Sequence, residues 1–367
     1  MRAALALPVL VVPVESAAAE IGLSVLAYRE RSPGMKVTEP VLWVSLPFAQ
    51  AWELRASTLV DIVTGASPDV VTNVSGRPVQ SFSGASVSDR RRASEARLSR
   101  RWGNVTLAAS RAVSDEDDYR SRASGVEAKI DLAGGATTLV AGYGKANDRV
   151  GSSDDPALDE RRDTSEYLAG VTQVLSPRAI VQSNLQWSGG RGYFDDPYRF
   201  TRSFYADGPP VLAPDHRPGS RQTLAWLTRY RLHFPALAAT LQSDYRFYRD
   251  DWGIRAHGLE AAWSQDLGEG WNARPALRWY WQSAADFYSA VVPRPAGPFQ
   301  SSDQRLAAFG GLSPSLRIGW RDGEGLRVEA TAGYYVNAGN LKPGGTPSPA
   351  FETRRAAYFL LAIAREF

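Results

Sequence analysis

Residues 219–289 read GSRQTLAWLTRYRLHFPALAATLQSDYRFYRDDWGIRAHGLEAAWSQDLGEGWNARPALRWYWQSAADFYS, and they contain four alternating segments joined by short connections. In the first segment, one parity is mainly apolar and the other mainly polar. The apolar parity carries Leu224, Trp226, Thr228, Tyr230, Leu232 and Phe234, and the polar parity carries Thr223, Arg229, Arg231 and His233. A globular strand usually sustains such alternation for only about five or six residues. Segments of this length predict tilted strands that cross a bilayer.

The composition favours a barrel over a bundle of membrane helices. Of the 367 residues, 44% are hydrophobic, and the chain contains 11 Trp and 15 Tyr. The mean hydropathy is nevertheless −0.29, as expected when half of every strand faces water. After the N-terminus, the sequence has no run of about 20 apolar residues that could form a helical span. The absence of cysteine excludes disulfides and thiolate metal sites.

The first nineteen residues resemble an export signal. Met1 and Arg2 supply a positive charge, residues 3–14 form a short apolar core, and residues 15–19 end in small side chains. This pattern predicts cleavage after Ala19 and an exported domain over residues 20–367. A disordered N-terminal tail is the alternative. The net charge of +3 is small and the basic residues are dispersed, so a nucleic-acid partner is not expected.

About sixteen strands can be counted after Glu20, and their connections alternate in length. The longer connections are 64–86, 115–119, 149–162, 191–218, 250–253, 286–302 and 338–352. The short turns are 47–48, 102–104, 133–135, 176–177, 234–235, 268–270 and 322–325. This pattern predicts an all-β, transmembrane, antiparallel up-and-down barrel with short periplasmic turns and longer extracellular loops, in the outer membrane of a Gram-negative bacterium. Pro275 and Pro314 fall inside strands and predict β-bulges.

The outward-facing tryptophans and the last strand indicate which partners the barrel contacts. Six tryptophans lie near strand ends or on the outward parity, as in an interfacial belt: Trp187, Trp226, Trp263, Trp271, Trp279 and Trp320. We therefore expect contacts with outer-membrane lipid and lipopolysaccharide. The final strand ends on Phe367 and resembles the terminal strand that the barrel-assembly machinery recognises, although Arg365 interrupts its apolar face. A periplasmic partner of unknown identity is the other partner considered.

The opposite parity supplies the candidate pore-lining residues. These are Arg229, Arg231, Gln242, Asp244, Arg246, Glu260, Arg274, Arg278 and Gln282. A ring of guanidinium groups inside a pore favours anions, whereas interleaved acids can lock the ring into ion pairs. A selectivity surface and a structural cross-strand network both remain open. About sixteen strands leave room for a water-filled lumen, and the connection 191–218 is long enough to fold into it.

Several motifs in the loops resemble a bacterial family of outer-membrane proteins catalogued as a domain of unknown function. The motifs lie at 65–68, 115–121, 192–198, 245–253, 282–288 and 302–306. They follow one another in the expected order and cover nearly the whole exported chain. The resemblance implies an outer-membrane barrel without an established activity. It also directs attention to outer-rim residues in the two most specific motifs, namely Asp250, Asp251, Trp252, Asp286 and Tyr288.

Groups suited to catalysis or metal binding are sparse. The three histidines, His216, His233 and His257, are scattered, and only His257 is placed to be checked for pairing with a serine. Acid pairs at 117–118, 154–155, 195–196 and 250–251 could bind hard cations, but ion pairs with nearby arginines explain them better. No cofactor and no metal are expected. The sequence thus predicts a pore or transporter for small polar solutes, with a non-conducting scaffold as the alternative and an outer-membrane enzyme third.

Overall fold

A computed structural model describes residues 18–31, 34–65, 68–74, 77–82, 87–205, 208–290, 297–349 and 351–367. Residues 1–17 of the predicted export signal lie outside the described residues. Among the helices in the described ranges, none combines the length and the apolar character needed to cross a membrane.

Twenty strands and four short 3₁₀ helices make up the described chain. The first ten strands are β1 (Glu20–Glu30), β2 (Met35–Phe48), β3 (Trp52–Gly65), β4 (Pro68–Val74), β5 (Arg77–Phe82), β6 (Val87–Trp102), β7 (Val105–Asp115), β8 (Tyr119–Leu132), β9 (Thr137–Val150) and β10 (Glu160–Ser176). The others are β11 (Ala179–Gly192), β12 (Phe200–Tyr205), β13 (Gly208–Pro214), β14 (Ser220–Phe234), β15 (Ala239–Asp250), β16 (Arg255–Gly268), β17 (Trp271–Gln282), β18 (Phe309–Arg321), β19 (Leu326–Ala338) and β20 (Arg354–Glu366). The 3₁₀ helices are Ala133–Gly135, Pro235–Leu237, Gln304–Leu306 and Gly339–Leu341.

Sixteen of these strands close into one antiparallel barrel. The order around the wall is β1, β2, β3, β6 to β11 and β14 to β20, so every neighbour in space is also the next barrel strand along the chain. Strands β1 and β20 close the circle, with Glu20 opposite Glu366 and Glu30 opposite Ala356. Closure removes the open sheet edges that could not face lipid. The predicted barrel and its strand count are confirmed.

Two of the predicted long connections contain structure of their own. Strands β4 and β5 form a hairpin within 64–86, and β12 and β13 form another within 191–218. Strand β12 also lies against β4. These hairpins were not predicted, because a short hairpin within a polar loop gives no sustained alternation.

The two parities of the barrel strands differ in the side chains they expose. Trp187, Trp226 and Trp271 have exposed fractions of 38%, 42% and 47% on the outward face, which agrees with their predicted place in an aromatic belt. At the end with the short turns, Trp271 lies 6.2 Å from Trp320 between ring centroids. Apolar side chains on the outer face and polar ones inside reproduce the alternation seen in the sequence.

The prediction of bulges at Pro275 and Pro314 is wrong. Pro275 pairs with Leu316, and Pro314 pairs with Leu277, in an uninterrupted register between β17 and β18. Between β16 and β17 the register shifts only between Asp266 and Gly268, at the hairpin end. A proline lacks one N–H donor, and a strand can omit that single hydrogen bond without inserting a residue.

Candidate functional site

The wall formed by β14 to β17 arranges the predicted pore-lining residues in rows. The central row runs Arg229, Asp244, Glu260 and Arg278, each directly opposite the next. The row nearer the short turns pairs Arg231 with Gln242. The row nearer the long loops pairs Arg246 with Gly258, which is opposite Tyr280. The rows are two residues apart along each strand, or about 7 Å.

Ion pairs hold two of the five predicted pore-lining arginines. Arg229 Nη2 lies 2.8 Å from Asp244 Oδ2, and Arg274 Nη2 lies 3.4 Å from Glu260 Oε1. The side chains of these two arginines are 18% and 20% exposed. This part of the wall is the cross-strand network that the sequence left open.

The other three arginines are exposed to the interior of the barrel. Arg231, Arg246 and Arg278 have no acidic group within ion-pair distance among the described residues, and Arg278 lies 5.9 Å above the ring of Tyr280. Each of them occupies a different one of the three rows. We call them the lumen arginines. Together they form a column of uncompensated positive charge along the inner wall.

The loops at the outer end of this wall pack around an aromatic cluster. Trp252 is 3% exposed and meets Phe194 and Phe287 edge-on, with centroid distances of 5.7 and 5.2 Å. The buried residues of the cluster are Trp252, Ile254, Ala285 and Leu306, and Phe194, Tyr248, Phe287 and Tyr288 pack against them. The cluster joins the β11–β14, β15–β16 and β17–β18 connections. It therefore contains two of the predicted outer-rim residues, Trp252 and Tyr288.

Several contacts show that these loops turn towards the interior of the barrel. Arg162, which pairs with Asp148 on the inner face, lies 5.3 Å from the ring centroid of Phe194. Gln282 Nε2 donates to the carbonyls of Arg305 at 3.0 Å and Ala307 at 2.7 Å. The sequence predicted a pore-lining role for Gln282. In the structure, its side-chain amide instead anchors the β17–β18 loop.

The adjacent acids Asp250 and Asp251 have separate structural roles. Asp250 Oδ2 accepts from Arg221 Nη2 at 2.6 Å, and its Oδ1 accepts from the N–H groups of Trp252 and Ile254. Asp251 Oδ1 accepts from the N–H of Gln222 on β14 at 2.9 Å. One acid thus forms the turn, and the other fastens the turn to the neighbouring strand.

Gly253 brings the two most specific family motifs into contact. It has a φ of +89°, and a Cβ at this position would collide with the carboxylate of Asp286. The N–H of Asp286 donates to the carbonyl of Trp252 at 2.8 Å. Only glycine combines this backbone conformation with so close an approach.

Beside the aromatic cluster lies a group of three buried aspartates and three arginines, here called the ion-pair cluster. Its members are Asp196, Arg199, Asp215, Arg217, Asp303 and Arg305. Asp303 is 1% exposed, and its Oδ2 lies 2.5 Å from Arg305 Nη2, 3.1 Å from Arg217 Nη2 and 3.7 Å from Arg199 Nε. Arg305 also reaches Asp196, at 2.7 Å. The cluster fastens the β11–β14 loop to the β17–β18 loop.

Asp303 is the centre of this cluster electrostatically as well as geometrically. Burial alone would raise the pKa of its carboxyl group, but the charges of Arg199, Arg305 and Arg217 outweigh burial and hold the pKa well below its usual range. Burial raises the pKa of Asp215, and Arg217 opposes that shift. Asp303 therefore remains ionised and balances the arginines around it.

The sequence did not identify the ion-pair cluster as a unit. Asp196 was noted as part of an acid pair, and residues 302–306 were noted as a family motif, yet they lie more than 100 residues apart. The interpretation of the acid pairs as partners of arginines is correct for Asp196 and Asp250. The described residues contain no group of three or more side chains suited to binding a metal ion.

In the described chain, none of the three histidines is hydrogen-bonded to a serine hydroxyl group, as a histidine that activates a serine nucleophile would be. His216 Nδ1 lies 3.1 Å from Asp195, His233 Nδ1 lies 3.1 Å from Thr240, and His257 Nδ1 lies 2.9 Å from the hydroxyl of Tyr245. His257 is on the outward face, stacked on Trp281 at 5.1 Å. The enzyme hypothesis therefore gains no candidate residue.

Replacement of Trp252 by alanine is expected to loosen the outer loops without unfolding the barrel. The change removes a buried indole, its hydrogen bond to the carbonyl of Ser220 and its stacking under Arg221, and such losses cost about 3–5 kcal/mol. Hydrogen exchange of residues 283–290 should accelerate by at least about 100-fold. The matched control, Trp271→Ala at an exposed site on the other end, should leave that exchange unchanged. Unchanged protection in Trp252→Ala would contradict the packing role.

Solved outer-membrane proteins share the architecture at low sequence identity. A structure described as a bacterial polysaccharide outer membrane secretin matches with a TM-score of 0.51 and 12% identity, covering 95% of this chain and 98% of that chain. CdiB from Acinetobacter baumannii matches with a TM-score of 0.53 and 10% identity, covering 95% of this chain and 60% of that chain. Identities this low establish the fold alone. No curated protein matches the chain in sequence.

A closed antiparallel barrel of sixteen strands with an apolar outer face and these structural neighbours is an outer-membrane β-barrel. The chain belongs to the family described as "Protein of unknown function (DUF3570)", which matches residues 1–158 and 152–347. The predicted membership of a family of unknown function is thereby confirmed.

Proposed function

We propose that this barrel is an outer-membrane pore for small polar solutes, with a preference for anions. The observation that carries the proposal is the column of lumen arginines, which projects three uncompensated positive charges into the barrel. Barrels of about 16 strands are wide enough to enclose an aqueous channel. Guanidinium groups on such a wall lower the energy of a passing anion and raise that of a cation.

The outer loops would narrow the entrance to this channel. Phe194 and the backbone of residues 305–307 lie against inward-facing side chains, and the ion-pair cluster fastens the two loops to each other. A loop held by ion pairs keeps the width of the channel entrance constant, whereas a mobile loop would open and close the entrance. We therefore infer a channel with a fixed, narrowed mouth above a positively charged wall.

Planar-bilayer recording tests the proposal directly. We expect discrete conductance steps from the purified protein, and in a salt gradient we expect a reversal potential on the anion-selective side. A variant that lacks residues 193–219 should have a larger single-channel conductance, because part of the loop that narrows the channel entrance has been removed. If neither protein conducts, the pore hypothesis is wrong.

A non-conducting scaffold is the second candidate. It is favoured by the β4–β5 and β12–β13 hairpins, which lie against each other at the loop end and offer a surface for a partner. This hypothesis expects no conductance from the intact protein, together with recovery of the same partner in mild detergent only when the hairpins are present. Conductance steps from the intact protein would decide against it.

A further inference from the structure

Three basic side chains lie side by side on the outward face of the barrel, well away from the lumen. Arg111 is on β7, Arg122 on β8 and Lys145 on β9, and all three are exposed. On each strand they share the parity of exposed side chains that face lipid, namely Leu107, Val126 and Tyr143. We call these three residues the basic triad.

The strand register gathers the triad around Ser124. Arg111 and Lys145 are the direct partners of Ser124 on its two sides, and Arg122 is two residues further along β8. Direct partners have Cα atoms about 5 Å apart, and diagonal ones about 7–8 Å. Arg111 Nη1 donates to Ser124 Oγ at 2.6 Å. Three cations and a hydroxyl group therefore fall within the span of one phosphorylated headgroup.

Nearby acids do not neutralise the triad. Asp163 accepts from Asn147, Asp115 is paired with Arg120 at 3.8 Å, and Asp159 is paired with Arg149. Among the described residues, no acid lies within ion-pair distance of a triad side chain. The positive charge is thus available to an external anion.

An aromatic row places the triad at the level of lipid headgroups. Tyr143, Tyr167 and Trp187 are direct cross-strand neighbours on the outward face, with centroid distances of 5.1 and 5.4 Å. Such rings mark the boundary between hydrocarbon and headgroups. Lys145 is two residues beyond Tyr143, on the side of the long loops. The triad therefore begins where the hydrocarbon of the outer leaflet ends.

The apolar face beneath the triad is shorter than the apolar face of β19. On β7, the outward residues before Arg111 are Val105, Leu107 and Ala109, and a single apolar residue, Val113, follows it before Asp115. On β19, the same parity remains apolar or aromatic through Leu326, Val328, Ala330, Ala332, Tyr334 and Val336. The long side chain of a basic residue so close to the hydrocarbon extends towards the headgroup region, so that its charged group stays in a polar environment. An anionic headgroup above it would compensate that charge.

We propose that the basic triad binds the phosphorylated headgroup of lipid A, the glycolipid of the outer leaflet. Guanidinium and ammonium groups recognise phosphate oxygens through charge-assisted hydrogen bonds, and basic sites next to a membrane bind anionic headgroups in this way. Ser124 adds a hydroxyl group to the site. The acyl chains of the lipid would lie along the exposed side chains of Leu107 and Val126.

Binding of purified lipid A to the protein in detergent micelles, followed by native mass spectrometry, tests the proposal. The variant Arg111→Gln/Arg122→Gln/Lys145→Gln should bind lipid A about 100-fold more weakly than the natural sequence. A matched control, Arg29→Gln/Arg191→Gln/Arg255→Gln, removes three exposed outward charges from β1, β11 and β16. These strands are not neighbours in the barrel, so the three charges form no cluster, and their loss should change binding less than about threefold. Both variants should keep the folded, heat-modifiable mobility of a barrel on a gel.

The ligand series identifies the group that is recognised. Chemically dephosphorylated lipid A should bind the natural sequence as weakly as lipid A binds the triad variant. Phosphatidylglycerol carries one phosphate and should bind at least tenfold more weakly than lipid A. Equal lipid A binding by the natural and triad sequences, or equal binding of lipid A and phosphatidylglycerol, would overturn the proposal.

Discussion

Trypsin should cut the outer loops of an Asp303→Asn variant at least about 100 times faster than those of the natural protein. The substitution removes the charge that faces Arg199, Arg217 and Arg305 in a buried site. Removing one partner of a buried ion pair costs about 3–5 kcal/mol, because the remaining charge is left uncompensated. When opening is fast compared with cleavage, that cost appears directly as an increased rate of proteolysis. The barrel itself should remain folded.

Two further variants separate loss of charge from other effects. Asp154→Asn removes an exposed acid from the β9–β10 loop and should leave cleavage unchanged. Adding Arg217→Gln to Asp303→Asn restores the charge balance of the cluster and should recover part of the resistance. Cleavage of Asp303→Asn within about threefold of the natural rate would show that the ion-pair cluster does not hold the loops.

The sequence predicted the barrel because its signal is local and repeated. Alternation along each strand determines which residues face lipid, and a lipid-facing sheet has to close. The same reasoning correctly placed Arg229, Asp244, Glu260 and Arg278 on one face. Parity alone could not predict that Arg274 pairs with Glu260, since Arg278 is the direct partner of Glu260 in the register.

The outer loops could not be predicted in the same way. Asp196 and Arg305 are brought together by two loops separated by four barrel strands, and neither loop has a repeating pattern. Gln282 shares the inward parity, but its amide bonds to a loop backbone that only the folded structure brings near. The loop motifs directed attention to Trp252 and Tyr288, which lie in the aromatic cluster, but they did not indicate what these residues contact.

Pairing divides the interior arginines by function. A guanidinium group held by Asp244 or Glu260 contributes little net field to the lumen, because the acid cancels its charge at a distance. The lumen arginines lack such partners among the described residues and are exposed to water. Of the five predicted pore-lining arginines, these three should therefore contribute most to ion selection.

Reversal of the three lumen charges is expected to change the pore from anion-preferring to cation-preferring. A unit charge about 7 Å from a passing ion changes its energy by about 0.6 kcal/mol in water. Replacing Arg231, Arg246 and Arg278 by glutamine should thus reduce the anion preference several-fold, after screening at about 0.1 M salt. Replacing them by glutamate doubles the change and should move the reversal potential to the cation-selective side. The measurement is the reversal potential in a salt gradient across a planar bilayer.

The control for this experiment is the double variant Arg229→Gln/Asp244→Asn, on the same wall. It removes one positive and one negative charge, so the net field in the lumen is conserved while an ion pair is lost. We expect its reversal potential to match that of the natural protein. If the glutamate variant conducts with unchanged selectivity, the column of lumen arginines does not select ions. Ion selection would then depend on the outer loops that narrow the channel entrance. If the control shifts as much as the glutamate variant, the paired arginine is as important as the unpaired ones.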